Sequence, residues 1–216
     1  MHRRWSRAAV LAVCLGVAPA TADELRTSFE AGVRVGLAFP LGDISQDSAL
    51  VDSIAWSVPL QVDAGARIGP AFVGGYFSYA FGKAGSKLDG LSSKTASDVR
   101  VGFEVLWHFA PGSGVDPWAG VGVGYEWLNF SAPVGTSTVS VSVRGFEFVN
   151  AQFGLDFTLG SLFRLGPYVI ANLAQYATGS GDITGAQGGT VSGTSDIQNK
   201  RLHGWISVGL RVALVL

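Results

Sequence analysis

The chain has 216 residues, enough for one domain, and carries 15 lysines and arginines against 16 aspartates and glutamates. This balance gives no support for nucleic-acid binding, and a single cysteine excludes a disulfide framework. Beyond the N-terminal segment no stretch reaches the roughly 18 consecutive apolar residues of a membrane helix. Thirty glycines and 13 phenylalanines instead suit a β-rich membrane protein.

Residues 1–22 are predicted to be a secretory signal peptide. A basic start is followed by the short apolar run Ala8–Ala18 and by Ala20-Thr21-Ala22, which fits the small-x-small cleavage rule. A retained N-terminal anchor is the alternative. Cleavage before Asp23 leaves residues 23–216 as a single domain and removes Cys14, so we expect the mature chain to have no thiol chemistry.

Alternation of apolar with polar or small residues predicts eight β-strands in the mature chain. The sixth is expected to keep one parity throughout, with Val143 among the apolar positions and Arg144 among the polar ones. The third and seventh strands have apolar residues at both odd and even positions, so the sequence does not decide which of their side chains point outward. The predicted strands are Phe29–Leu41, Ser57–Ile68, Ala71–Gly82, Asp98–Ala110, Pro117–Phe130, Thr138–Leu159, Pro167–Thr178 and Leu202–Leu216.

The connections between these strands alternate in length. Those after the second, fourth and sixth strands are short and rich in glycine and proline, whereas Gly42–Trp56, Lys83–Ser97 and Gly179–Arg201 are long and polar. Short turns on one side and long loops on the other are typical of a membrane barrel with both termini on the side of the turns. The long loops could bind an extracellular ligand or could be solvated spacers. Ten strands would fit only if one loop contained a further hairpin.

Three features favour a membrane barrel over a soluble one, which is the alternative. No lysine falls inside a predicted strand, although solvent-facing sheets normally carry lysine. The positions that alternate with the apolar ones carry mostly small residues, together with acidic residues and arginines in similar number. Aromatic residues gather near strand ends, as in interfacial girdles. The outer girdle would comprise Phe39, Trp56, Tyr79, Phe81, Trp127 and Phe130, and the inner one Phe29, Trp107, Phe109, Phe157 and Tyr168.

A sheet in hydrocarbon must close on itself, so the predicted fold is all-β, a closed antiparallel up-and-down transmembrane barrel. Its interior would hold the charged residues of the polar parity. Counted from the strand ends, Arg34, Asp63, Glu104 and Arg211 fall at one depth. Glu30 with Arg67 would lie lower, and Arg100 with Glu126 higher. Because buried charges must pair, we predict a structural plug of the lumen; a gated ion path is the alternative.

On these strands the chain resembles the small eight-stranded outer-membrane barrels, the OmpA transmembrane domain and OmpX kind, over residues 23–216. The resemblance implies outer-membrane localisation, a monomer, contact with outer-membrane lipid and lipopolysaccharide, and insertion by the barrel-assembly machinery. Family members usually end in an aromatic residue that this machinery recognises, whereas this chain ends in leucine. The corresponding C-terminal signal here would be Ile206, Val208, Leu210, Val212, Leu214 and Leu216.

Residues that could support catalysis are few. His108 and His203 are the histidines of the mature chain, and they fall near opposite ends of the barrel. Neither precedes a serine by two positions, the arrangement of outer-membrane lipid A deacylases, and only Asp196 with His203 could imitate a protease pair at the rim. No metal-ligand spacing occurs, and no cofactor is expected. We therefore predict a non-enzymatic protein with a structural or surface-interaction role; a narrow passive pore, or a lipid A-modifying or proteolytic enzyme, are the alternatives.

Overall fold

A computed structural model describes residues 27–46, 48–85, 95–185 and 189–216. The predicted signal peptide lies outside these ranges. No helix within them has the length and hydropathy needed to cross a membrane. The elements are β1 (Thr27–Ser45), β2 (Ser48–Ala49), α1 (Leu50–Ser53), β3 (Ile54–Ile68), β4 (Ala71–Ala84), β5 (Thr95–His108), β6 (Val115–Val134), β7 (Ser137–Leu159), β8 (Phe163–Thr184), β9 (Thr190–Asp196) and β10 (His203–Val215).

Eight strands form one closed antiparallel ring. The order is β1, β3, β4, β5, β6, β7, β8 and β10, and β10 pairs again with β1. The predicted all-β, up-and-down barrel of eight strands is confirmed. The segment 179–201, expected to be a loop, contains a hairpin instead, because β8 continues to Thr184 and pairs with β9. The additional strand pairs only with β8 and therefore does not enlarge the ring.

The two ends of the barrel differ in their connections. At one end, residues 69–70, 109–114 and 160–162 join consecutive strands, and Gly69 adopts a positive φ of 60° that permits the tight turn after β3. Both ends of the described chain lie here, since Phe29 and Leu216 exchange backbone hydrogen bonds of 3.0 and 2.8 Å. Longer connections and the extended β6–β7 and β8–β9 hairpins occupy the other end, called here the loop end.

Side chains along the ring follow the pleat, with apolar groups outside and polar groups inside. Val33, Leu60, Val101 and Val121 are each about half exposed, and Phe103 is 75% exposed, whereas Glu30 and Arg34 are fully buried. Such an arrangement is unfavourable in water but stable in a bilayer, because lipid tails solvate the apolar belt while the interior charges pair. The barrel is therefore a transmembrane one.

The two strands whose inward side chains the sequence did not decide also alternate between the inside and the outside of the barrel. β4 buries Phe72, Tyr76 and Ser78 and exposes Phe77, and β8 buries Tyr168. The assignment of Tyr168 to the inner aromatic girdle is therefore wrong, because its ring points into the barrel. The assignment of Phe130 to the outer girdle is also wrong, because it packs against the buried cluster at the loop end. Both errors arise where apolar residues occur on both parities of one strand.

The prediction that outward and inward residues alternate without interruption is wrong in β7, because the strand contains a β-bulge. Its pairing with β8 shifts between Glu147 and Val149, and Phe148 and Val149 both face outward. Beyond the bulge the alternation inverts, so that Val143 is buried and Arg144 is exposed, opposite to the prediction. The extra residue thus turns Glu147 into the barrel, where it is 2% exposed.

The expectation of strands without lysine is also wrong at one position. β4 runs two residues further than predicted and includes Lys83, which pairs with Trp56 and is exposed at the loop end. The expectation for Lys87 and Lys94 lies outside the described residues.

Candidate functional site

The barrel interior is the candidate site, and the pleat of the strands delivers its polar side chains there. All eight residues of the predicted lumen network point inward. Seven are at most 4% exposed, and the side chain of Arg100 is 12% exposed. The eight are Glu30, Arg34, Asp63, Arg67, Arg100, Glu104, Glu126 and Arg211.

Arg34 joins four strands at the centre of the barrel. Its Nε lies 3.1 Å from Asp63 on β3, and its Nη2 donates to Glu104 on β5 over 2.7 Å. Its Nη1 donates to Gln152 on β7, whose amide in turn donates to Glu104 over 2.9 Å. Because β5 and β7 each lie three strands from β1 around the ring, one guanidinium bridges across the lumen.

Arg211 lies beside Arg34 as its register partner on β10. It donates to Glu30 over 2.8 Å, to Asp63 over 3.2 Å and to Asp156 over 3.1 Å. Asp63 therefore lies between the two guanidinium groups and screens their repulsion. Both arginine headgroups also lie 5.5 Å from the ring centre of Trp118, a favourable cation–π distance.

A second set of ion pairs lies toward the end of the short turns. Arg67 donates to Glu30 over 3.0 Å and to Asp116 over 3.3 Å. Asp116 also lies 3.0 Å from His108 Nδ1 and accepts from Arg164 over 3.2 Å. Asp116 was not among the predicted interior residues, because it ends the turn-like run Pro-Gly-Ser-Gly-Val-Asp, although β6 has already begun there.

Glu126 organises the interior near the loop end. It accepts from Tyr176 Oη over 2.6 Å and from Trp205 Nε1 over 3.0 Å, and His203 Nε2 lies 3.2 Å away. Arg100 lies 3.7 Å from Glu126, is hydrogen-bonded to Asp98, and stacks 5.1 Å from the Trp205 ring centre.

Glu147 links the ion pairs around Arg34 to those around Glu126 near the loop end. It was not among the predicted interior residues because the bulge changes which side chains of β7 point inward. It accepts from Tyr76 over 2.6 Å, from Asn150 over 2.6 Å and from Asn172 over 2.7 Å. Beside it lies a polar cavity of about 20 Å³, which is room for about one water molecule. The network thus extends through most of the described barrel and leaves a small gap beside Glu147.

Apolar layers lie toward both ends of this polar interior. At the loop end, Leu50 and Ile54 are fully buried and pack with Leu128, Val143 and Trp205. Leu50 lies in α1 and Ile54 begins β3, and both belong to the segment Gly42–Trp56 that was expected to be a polar loop. This segment therefore contributes to the apolar layer. A second apolar cluster, toward the short turns, comprises Phe72, Leu106, Trp118, Tyr168 and Ile170.

The two histidines lie at opposite ends of the interior, as their strand positions require. His203 is 1% exposed and stacks on Tyr176 at 3.9 Å between ring centres, so it faces Glu126 and not solvent. Asp196 lies on the exposed strand β9 and is not a partner of His203 within the described residues.

The C-terminal strand presents its predicted signal residues on the outer face. Ile206, Val208, Leu210 and Val212 are between 40 and 53% exposed, Leu214 is partly exposed, and Leu216 is 61% exposed. The pairing of β10 with β1 closes the ring. Recognition of this strand by assembly machinery remains a prediction.

No protein-family model and no curated protein matches this chain. Among solved structures it is similar to a major outer membrane protein from Thermus thermophilus, with 14% identity, a TM-score of 0.58, and coverage of 88% of this chain and 100% of that one. It is also similar to the outer membrane protein OprG from Pseudomonas aeruginosa, with 12% identity, a TM-score of 0.50, and coverage of 89% and 98%. At these identities the likeness concerns the fold, which is that of outer-membrane β-barrel proteins. The predicted localisation agrees with this fold.

Proposed function

We propose that the protein is a structural outer-membrane barrel whose lumen is closed by its own charged side chains. It acts as a single copy, anchored by its apolar belt, and presents its loop end to partners at the cell surface. The C-terminal strand serves as its assembly signal. The protein is not an enzyme.

The observation that carries this proposal is the bridging of the lumen by Arg34 and Arg211. An eight-stranded barrel is only wide enough for side chains to fill its interior. Here the two guanidinium groups contact five acceptor residues on four strands, and neither arginine is exposed. Moving such groups aside would leave buried charges unpaired, which costs about 3–5 kcal/mol when one partner is lost. A permanent open path is therefore unfavourable.

The apolar layers support the same conclusion. At the loop end, the fully buried Leu50 and Ile54 belong to an apolar layer with Leu128, Val143 and Trp205. An ion would have to leave water, cross this layer and then displace paired charges. This combination favours a structural plug over a gated ion path.

Conductance in planar lipid bilayers tests the closed lumen directly. The mature protein is refolded and inserted, and retained compactness is checked by heat-modifiable gel mobility. Wild-type barrels are expected to give no current steps above the lipid baseline. The double variant Arg34→Ala with Arg211→Ala, which shortens the side chains that bridge the lumen, is expected to give brief openings. Uniform steps from the wild type would overturn the proposal in favour of a narrow pore.

Mass spectrometry of lipid A from cells with and without the protein tests the absence of enzymatic activity toward that lipid. We expect identical spectra. A mass change that depends on expression and disappears in His203→Ala would contradict the proposal.

A further inference from the structure

A face rich in hydroxyl groups lies on the outside of β5–β8 at the loop end. Strand pairing aligns its residues in two transverse rows, because directly paired residues point to the same side of a sheet. Seven of these eight residues, all except Ser180, line a hollow of about 250 Å³, and Ser131 and Ser140 are hydrogen-bonded over 3.1 Å. The upper row is Thr95, Ser131, Ser140 and Asp182, and the lower row is Ser97, Asn129, Ser142 and Ser180. Together they are called the hydroxyl face.

The composition of this face differs from that of an ordinary solvated sheet surface, which carries long charged side chains such as lysine. Seven of its eight residues are short and uncharged, and only Asp182 carries a charge. Short hydroxyl and amide groups lose little conformational entropy on binding and can both donate and accept hydrogen bonds. These are the properties required to bind the hydroxyl groups of a sugar.

Directly below the hydroxyl face, the next outward row pairs Trp127 on β6 with Arg144 on β7. Tryptophan at this position is typical of the headgroup level of a bilayer. Arg144 is exposed and makes no salt bridge within the described part of the chain. An exposed guanidinium at the headgroup level is suited to bind a phosphate group.

Below that row, strands β3–β7 form an apolar groove on the lipid-facing surface. It has a volume of about 800 Å³ and is lined by Phe77, Phe103, Tyr125 and Phe146 among others. Tyr125 packs edge-on against Phe146, with ring centres 5.0 Å apart, and its ring is tilted against that of Trp127, with ring centres 4.6 Å apart. The aromatic contacts thus run without a break from the groove to the Trp127–Arg144 row.

Successive outward rows are two residues apart along each strand, or roughly 6.6–6.8 Å. Within about 20 Å along the strands, the surface therefore changes from an acyl-sized groove to a cation and then to hydroxyl groups. We propose that this outer face of β3–β8 binds a phosphorylated glycolipid of the outer leaflet. An acyl chain lies in the groove, a phosphate binds Arg144, and sugar hydroxyls bind the hydroxyl face. The inference rests on the proposed function in one respect, namely that the loop end faces the outer leaflet.

Native mass spectrometry of the folded mature chain in detergent tests this assignment. The probes are bis-phosphorylated lipid A, dephosphorylated lipid A, a lipooligosaccharide that carries core sugars, phosphatidylglycerol, and the free core oligosaccharide. Retention is expected to decrease from the lipooligosaccharide to lipid A and then to dephosphorylated lipid A. Equal retention of phosphatidylglycerol and lipid A, or binding of the free oligosaccharide as tight as that of the lipooligosaccharide, would overturn the inference.

Two variants separate the phosphate and sugar contributions. Arg144→Gln is expected to lower affinity for bis-phosphorylated lipid A about tenfold, as the loss of a charge-assisted hydrogen bond implies, but to leave the dephosphorylated form unchanged. Arg201→Gln, which removes another exposed arginine outside these rows, is the matched control and should have no effect. The pair Ser131→Val and Ser140→Val should abolish only the preference for core sugars. Equal effects of the two arginine variants would contradict the proposal.

The outcome is independent of the conductance test. A conducting wild type would overturn the closed lumen and leave glycolipid selectivity intact, whereas loss of selectivity would overturn only this binding surface.

Discussion

The membrane-spanning part of the barrel and its hairpin extension at the loop end place their side chains in opposite ways. In the spanning part, β6 exposes Val121 and Val123 and buries Glu126. A few residues further along the same strand, Leu128 is buried, while Asn129 and Ser131 lie on the outer face. The pairing with β7 continues through this change. The same backbone therefore has an apolar exterior in one half and an apolar interior in the other.

This inversion indicates that the surrounding solvent, and not the strand itself, determines which face is apolar. Lipid tails surround the lower half, so charges turn inward and pair, whereas water surrounds the upper half, so apolar groups turn inward and pack. The row of Trp127 and Arg144 lies at the change from one pattern to the other. It marks the expected position of the outer membrane surface.

Removal of a buried charge in the spanning half should have the largest effect. Arg34→Leu leaves Glu104 without its guanidinium partner, and we expect the free energy of unfolding in lipid vesicles to decrease by about 3–5 kcal/mol. Urea titration followed by tryptophan fluorescence measures the change. Arg201→Leu, at an exposed position of the loop end, is the control and should shift it by no more than about 0.5 kcal/mol.

A double variant distinguishes charge pairing from packing at the same position. If the loss arises from the unpaired Glu104 carboxylate, adding Glu104→Gln to Arg34→Leu should recover part of it. Equal stability of Arg34→Leu and Arg201→Leu would remove the case for a buried ionic network.

Much of the fold could be predicted because a period of two survives in almost every spanning strand. Alternation identified the eight strands of the ring, and depth counted along them placed Arg34, Asp63 and Glu104 at the level where their ion pairs occur. The bulge in β7 could not be predicted, because one additional outward residue, Phe148 or Val149, has no compositional signature. Glu147 was missed for this reason alone.

Other parts of the site escaped sequence analysis because local patterns competed with the strand pattern. Asp116 lies next to proline, glycine and serine, a composition that indicates a turn. Leu50 and Ile54 lie in the predicted loop Gly42–Trp56, which contains several aspartates, so nothing local indicates that they cover the lumen. Their burial depends on a space created by strands distant in sequence.

Lysine substitutions on the outer face should locate the change from an apolar to a polar exterior. Their effect on the free energy of unfolding should be smaller than that of Arg34→Leu. Val123→Lys puts a charge near the middle of the lipid-facing surface, and we expect a loss of about 2–4 kcal/mol in the free energy of unfolding. Ser142→Lys, on the outer face above Trp127, should cost about 0–1 kcal/mol. Both are measured by urea titration in the same vesicles. Equal losses would show that the membrane surface does not lie at the Trp127–Arg144 row.

Glycine-to-alanine substitutions should have the smallest effects on stability, and these effects should differ between the two halves. In the barrel, a Cβ on Gly154 would lie 2.3 Å from the ring of Trp118, the residue that donates to Asp156 and lies beneath Arg34 and Arg211. Gly154→Ala must therefore displace that ring and should cost about 1–3 kcal/mol. In the extension, a Cβ on Gly193 would meet nothing within 4 Å, so Gly193→Ala should change stability by no more than about 0.5 kcal/mol. Because both substitutions add the same methyl group to a strand, a difference between their unfolding midpoints reports packing alone, and equal midpoints would show that the Trp118 layer is not tightly packed.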